Sequence, residues 1–153
     1  MSLPAIRLAL ADILAQTPPV TVTSHNADVT IGMNQSLPYQ PDQPPEVVPC
    51  AWLGYATWET SMGSLEVTTW SLPITVAVYE AGSAEMELAS VEAFLEAVMA
   101  QLRTHQSLNF TADVANVLGG EEGEILFRGK AYRGFTLTTA ITVKTEVAAM
   151  MRS

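Results

Sequence analysis

Few side chains in this chain could do chemistry, and they are scattered. Ser24, His25 and Asp28 fall together in "SHNAD", which offers types found in a hydrolase triad or a metal site. No third metal ligand follows at a definite spacing, and triads are assembled from distant segments, so a polar turn is the expected reading. Cys50 lies in the apolar run "CAWLG", where a buried, inert thiol is expected rather than a nucleophile. His105 follows a helical pattern and suits the carbonyls at its C-terminal end. "GGEEGE", residues 119 to 124, has glycines but no phosphate-loop lysine, and Glu121, Glu122 and Glu124 would repel phosphate. A solvated acidic loop is expected there. No catalytic, cofactor or metal residue is assigned, and the chain is expected not to be an enzyme. Trp52, Trp58 and Trp70 are spaced for strands; one is expected in the core, and an exposed one would mark an interface anchor. Asn34-Gln35-Ser36 and Asn109-Phe110-Thr111 match glycosylation acceptors, but no secretory signal accompanies them.

The elements that must hold these residues follow from periodicity. Pro4 fits a first helical turn, and Ile6, Leu10, Ile13 and Leu14 share one face of a helix over 4–16. "RLALADILA" is interrupted by Asp12 and reads as an amphipathic helix rather than a signal peptide. Residues 18 to 49 hold seven of the nine prolines. "VTVTS" and "ADVTIGM" could be short strands there, while 34–49 reads as an extended arm or loop. Residues 50–60 and 64–81 form two long strands joined at "SMG", with Pro73 at an edge or a bulge. The strongest helix spans 84–105, with Val91, Phe94, Leu95, Val98 and Leu102 as its apolar stripe. "SLNFTADVANVLGG" is ambiguous between helix and strand. A hairpin follows with Gly129-Lys130 as a two-residue turn. In the last strand Phe135, Leu137, Ile141 and Val143 alternate with Thr136, Thr138, Thr142 and Lys144, giving one dry and one wet face. The expected fold is a single α+β domain over 1–153. It has an antiparallel sheet packed against one main α-helix, and an N-terminal helix.

Composition bounds the function. One cysteine in 153 residues excludes a disulfide-stapled module, and no apolar run reaches a membrane span, so an intracellular setting is expected. The net charge of −9 disfavours non-specific nucleic-acid binding. Between Arg7 and Arg103 there is no lysine or arginine, and residues 8–102 carry eleven of the sixteen acids. Arg128, Lys130 and Arg133 cluster within the hairpin. This asymmetry suggests a subunit interface in which a basic hairpin (Arg128, Lys130, Arg133) meets an acidic surface, with Glu121, Glu122 and Glu124 as candidate participants.

In layout the chain resembles the tail terminator, or tail-completion, proteins of long-tailed bacteriophages. The resemblance rests on the N-terminal helix, "TTWSLPITVAVYEAG", the helix "ELASVEAFLEAVMAQL", "NVLGG", and "ILFRGKAYRGFTLTTAITV" with its G-x-x-Y-x-G turn of Gly129, Tyr132 and Gly134. It implies a structural virion protein that forms a homo-oligomeric ring, typically a hexamer, on the tail tube. Such a ring stops polymerisation, joins the tail to the head connector and lets DNA pass as cargo. The implied partners are the tail tube protein and the head-tail connector protein, with no cofactor and no membrane. The implied location is the virion tail, assembled in the host cytoplasm. Six copies at −9 each would carry about −54, and an acidic lumen would keep DNA from sticking. A tube subunit, another connector or a small-molecule-binding α+β domain remain the alternatives.

Overall fold

The computed structural model describes residues 2–24, 27–82, 88–108, 112 and 114–146. Helix α1, Leu3–Ala15, starts where the Ser2 hydroxyl accepts the Ala5 N–H at 3.2 Å, with Pro4 in its first turn. It buries Ile6, Leu10, Ile13 and Leu14. Helix α2, Leu88–Thr104, buries Val91, Phe94, Val98 and Leu102, while Leu95 is only half-buried. The expected helical residues 84–87 lie outside the described residues. The two helices are tied directly, because the buried Gln101 amide donates to the Ile13 carbonyl at 2.9 Å.

The strands are β1 Val20–Ser24, β2 Ala27–Ile31, β3 Gln35–Leu37, β4 Cys50–Leu53, β5 Thr57–Met62, β6 Leu65–Glu80, β7 Val114–Phe127 and β8 Lys130–Glu146. β1 and β2 form a separate antiparallel hairpin. The main sheet runs β3-β4-β6-β8-β7, with β5 pairing β6 beyond the end of β4. This corrects the expected architecture in two ways. The sheet is mixed, because β3 and β4 pair in parallel. And no single helix covers it: α1 and α2 share one core with Leu72, Ile74, Val76, Phe135, Leu137 and Ile141. The molecule is α/β in content, with two helices and a predominance of strand.

Alternation along β8 is as expected. Phe135, Leu137, Ile141 and Val143 are buried, and Thr138 and Lys144 are exposed. Thr139, on the dry side, is satisfied by donating its hydroxyl to the Leu72 carbonyl at 2.8 Å. Two strands meet so closely at Gly134 that a Cβ there would run into the Val76 backbone carbonyl. Gly134→Ala is therefore expected to cost about 1–3 kcal/mol, read as a lowered urea midpoint with an unchanged slope. A parent-like midpoint would show that β6 and β8 can part there at no cost.

The opposite face carries a second, smaller core of Cys50, Trp52, Ala77, Phe127 and Tyr132, with the Trp52 and Phe127 rings 5.0 Å apart. Here the proline-rich segment has its role. Leu37 and Val48 pack on this cluster, and the buried Tyr132 hydroxyl donates to the Pro45 carbonyl at 2.7 Å. The Asn34 amide reaches the Val48 carbonyl, and Arg128 Nε reaches the Pro41 carbonyl at 3.4 Å. Within 34–49, Gln35–Leu37 is thus a strand of the sheet, and the rest is a loop docked over the second core. Tyr132→Phe leaves the Pro45 carbonyl without its buried donor and is expected to cost about 1–3 kcal/mol. Faster proteolysis within 34–49 would accompany it; a thermal midpoint equal to the parent's would deny the tether.

Three local expectations are corrected. Pro73 lies inside β6, opposite Thr138, and the register break in β6 falls later, between Ala77 and Tyr79. The proline is tolerated because residues 54–56 interrupt the neighbour between β4 and β5, and there the Gly54 N–H donates to the Pro73 carbonyl at 2.9 Å. The hairpin turn is Arg128-Gly129, with φ of 49° and 84°, so Phe127 pairs Lys130 and the turn is one residue earlier than expected. "GGEEGE" is strand, not loop, because β8 supplies a partner along its whole length.

Candidate subunit interface

The six candidate interface residues all fall on the β7–β8 hairpin, and three of them, Lys130, Arg133 and Glu124, are in ion pairs within the chain. Lys130 Nζ lies 2.7 Å from a Glu80 carboxylate oxygen, a hydrogen bond that holds the ammonium above its ordinary pKa. Arg133 lies 3.7 Å from Glu124, its partner across the ladder. Glu121 and Glu122 are exposed on β7 opposite Thr136 and Phe135, and as successive strand residues they leave on opposite faces. Of the three cations, Arg128 at the turn is the one for which the described residues supply no ion pair. A further acid comes from outside the hairpin: Glu80, 50 residues before Lys130 in sequence, is brought to it by the β6–β8 pairing.

Among the described residues, β7 at one end of the sheet and β5 on the other flank, beyond the short β3 and β4, each have one side unpaired. β7 forms one edge over its 14 residues, and β5 lies on the other side, every residue of it exposed. Unpaired edges offer rows of N–H and C=O groups to another chain. Both carry apolar side chains that a lone subunit leaves in water. On β7, Leu118 at the register shift is 67% exposed and Leu126 is 72% exposed. On β5, Trp58 is 63% exposed and leans on the half-buried Trp70 with ring centroids 5.6 Å apart. Trp58 is the exposed tryptophan whose presence the sequence flagged as an interface mark, while Trp52 is the core one. Beside β7, a trough of about 540 Å³ runs against α2, lined by Leu95, Met99, Val117, Leu118 and Leu137 and edged by Glu92. Neither leucine was identifiable from sequence. The signal was a strand-like stretch with apolar residues on both sides of the period, which one core cannot cover.

The residues that suggested reactive chemistry sit apart. Asp28 is exposed and accepts the Thr23 hydroxyl at 3.0 Å within the β1–β2 hairpin. His25 lies outside the described residues. His105 Nδ1 is 3.0 Å from the Gln101 carbonyl, the end-of-helix contact expected of it. Burial raises the Cys50 thiol to about 11. At pH 8 only about a thousandth of it is then thiolate, so Ellman's reagent should leave the native protein unlabelled and react fully once it is denatured. Rapid native labelling would contradict a buried Cys50. Among the described residues no three His, Cys, Asp or Glu side chains gather to hold a metal ion, and no helix is long and apolar enough to cross a membrane.

Fold and surfaces together define a mixed α/β domain with two open-edged flanks. The sequence matches no protein-family model and no curated protein.

Proposed function

We propose that the chain is a structural subunit of the tail-terminator kind. Copies close into a ring, typically of six, that caps the tail tube, stops its polymerisation and joins it to the head connector while DNA passes through the lumen. The observation that carries this reading is the pair of unlike open edges, β5 with Trp58 and β7 with Leu118 and Leu126. A ring needs a heterologous contact, one patch meeting a different patch on the next copy. Edges on opposite sides of one sheet satisfy that requirement, and the apolar side chains on them gain from being covered. Charge has a smaller part than the sequence suggested, because Lys130 and Arg133 already face Glu80 and Glu124. On β8, Thr138 and Lys144 are exposed beyond the second core, and this part of the strand would border a lumen or a flanking ring.

A length assay tests the reading. Tail tube protein of the same virus is allowed to polymerise with and without this protein, and tube lengths are measured by electron microscopy. A terminator shortens the tubes and leaves a cap at one end. Unchanged lengths with uncapped ends would refute the role, and incorporation along the tube would make the chain a tube subunit.

A further inference from the structure

A cleft of about 210 Å³ opens between the end of β4, the proline-rich cover and the β7–β8 turn, lined among others by Arg7, Tyr39, Asp42, Gly54, Tyr55 and Arg128. Arg7 is only 6% exposed although it carries a full charge on a helix facing the core. Its two terminal nitrogens donate to the carbonyls of Pro38 at 3.0 Å and Gly54 at 2.9 Å, and its guanidinium lies 4.8 Å from the centre of the Tyr39 ring. These contacts solvate the cation without neutralising it. Arg128, held in a left-handed conformation at φ 49° and stacked on Phe127, brings a second guanidinium to the same cleft. Among the described residues neither arginine is within ion-pair distance of a carboxylate, Asp42 included. In a chain of net charge −9, this is a place where cations outnumber acids and remain unpaired.

We infer that this cleft binds a carboxylate group, that of an aspartate or glutamate side chain on another polypeptide or of a small free acid. A planar guanidinium presents N–H donors in the geometry that a carboxylate accepts, and a second guanidinium lining the same cleft adds to the attraction. The volume suits a carboxylate side chain. Asp42 on the wall penalises a phosphate dianion more than a carboxylate monoanion. Tyr39 and the 85% exposed Tyr55 extend the site outward, which favours a carboxylate carried on a peptide. Arg7 also staples α1 to residues 38 and 54, but that role does not account for Arg128 or for the open space between them. The inference does not rest on ring formation, since the cleft is complete within one chain.

The test is a titration of the ¹⁵N-labelled protein, followed by amide shifts at constant ionic strength. The probes are sodium acetate, an N-acetylated and C-amidated Gly-Glu-Gly peptide, its Gly-Gln-Gly counterpart, and sodium phosphate. Saturable shifts centred on Gly54, Tyr55 and Arg128 are expected with acetate and with the glutamyl peptide, and none with the glutaminyl one. Tighter binding of the peptide than of acetate would assign the site to a protein side chain; equal binding would assign it to a free acid. Arg128→Gln, a surface change that spares the Arg7 staple, is expected to weaken binding at least about tenfold. Shifts that never saturate, a glutaminyl peptide that binds equally, tighter binding of phosphate, or an indifferent Arg128→Gln variant would each overturn the inference.

Discussion

Replacing Phe94 by alanine is expected to destabilise the protein by about 3–5 kcal/mol. The ring is fully buried on α2, and its centre lies 6.5 Å from that of Phe135 on β8, so it joins the helix layer to the sheet. Around it Val91, Val98, Ile74 and Leu137 are also buried, and none is a flexible chain that could collapse into the space. The loss is therefore the transfer term plus nearly the whole cavity term. A thermal or urea melt reads it directly. A variant that melts with the parent would mean that α2 does not lie on the sheet.

That stripe was legible in the sequence because a helical period puts Val91, Phe94, Val98 and Leu102 on one side. The β8 face was legible for the same reason, with a period of two. What escaped was settled by partners distant in sequence. "GGEEGE" is poor in strand formers, yet it is strand because β8 offers it a ladder. The hairpin turn admits glycine at either central position. In the earlier one, Arg128 contacts Phe127 and the carbonyl of Pro41, which lies 87 residues away, and the turn's own sequence gives no sign of that partner. The proline-rich segment read as an extended arm or loop because its own pattern contains no core. Its core belongs to the sheet, in Trp52, Phe127 and Tyr132, and chain order gives no sign that they meet. The candidate interface suffered likewise. Charges were counted along the chain, while the pairing of Lys130 with Glu80 and of Arg133 with Glu124 depends on strand register.

The second large effect concerns association. Leu118→Lys combined with Leu126→Lys places two charges on the exposed edge of β7 without touching the core. Burying one leucine in a contact between copies contributes about 1.5–3 kcal/mol. Losing two and desolvating two ammonium groups should weaken association by at least about a hundredfold. Circular dichroism and the melting temperature should stay near those of the parent. Trp58→Lys on β5, the opposite edge, should act in the same direction, and mixing the two variants should give pairs joined through their two unsubstituted edges but no full rings, since a closed ring also needs contacts made by the substituted ones. Reversing Arg128, Lys130 and Arg133 is less informative, because it also breaks two ion pairs within the chain. A β7 variant that assembles like the parent would remove this edge from the contact.

Ring closure through two unlike edges can be read from mass measurement with imaging of the purified protein across a concentration series. Native mass spectrometry and negative-stain electron microscopy should show a single closed species, six-fold in the expected case. It should be disrupted by the β7 substitutions and only weakly sensitive to salt. A protein that stays monomeric at millimolar concentration and in the presence of its tube protein, or one that grows into open filaments, would contradict the account.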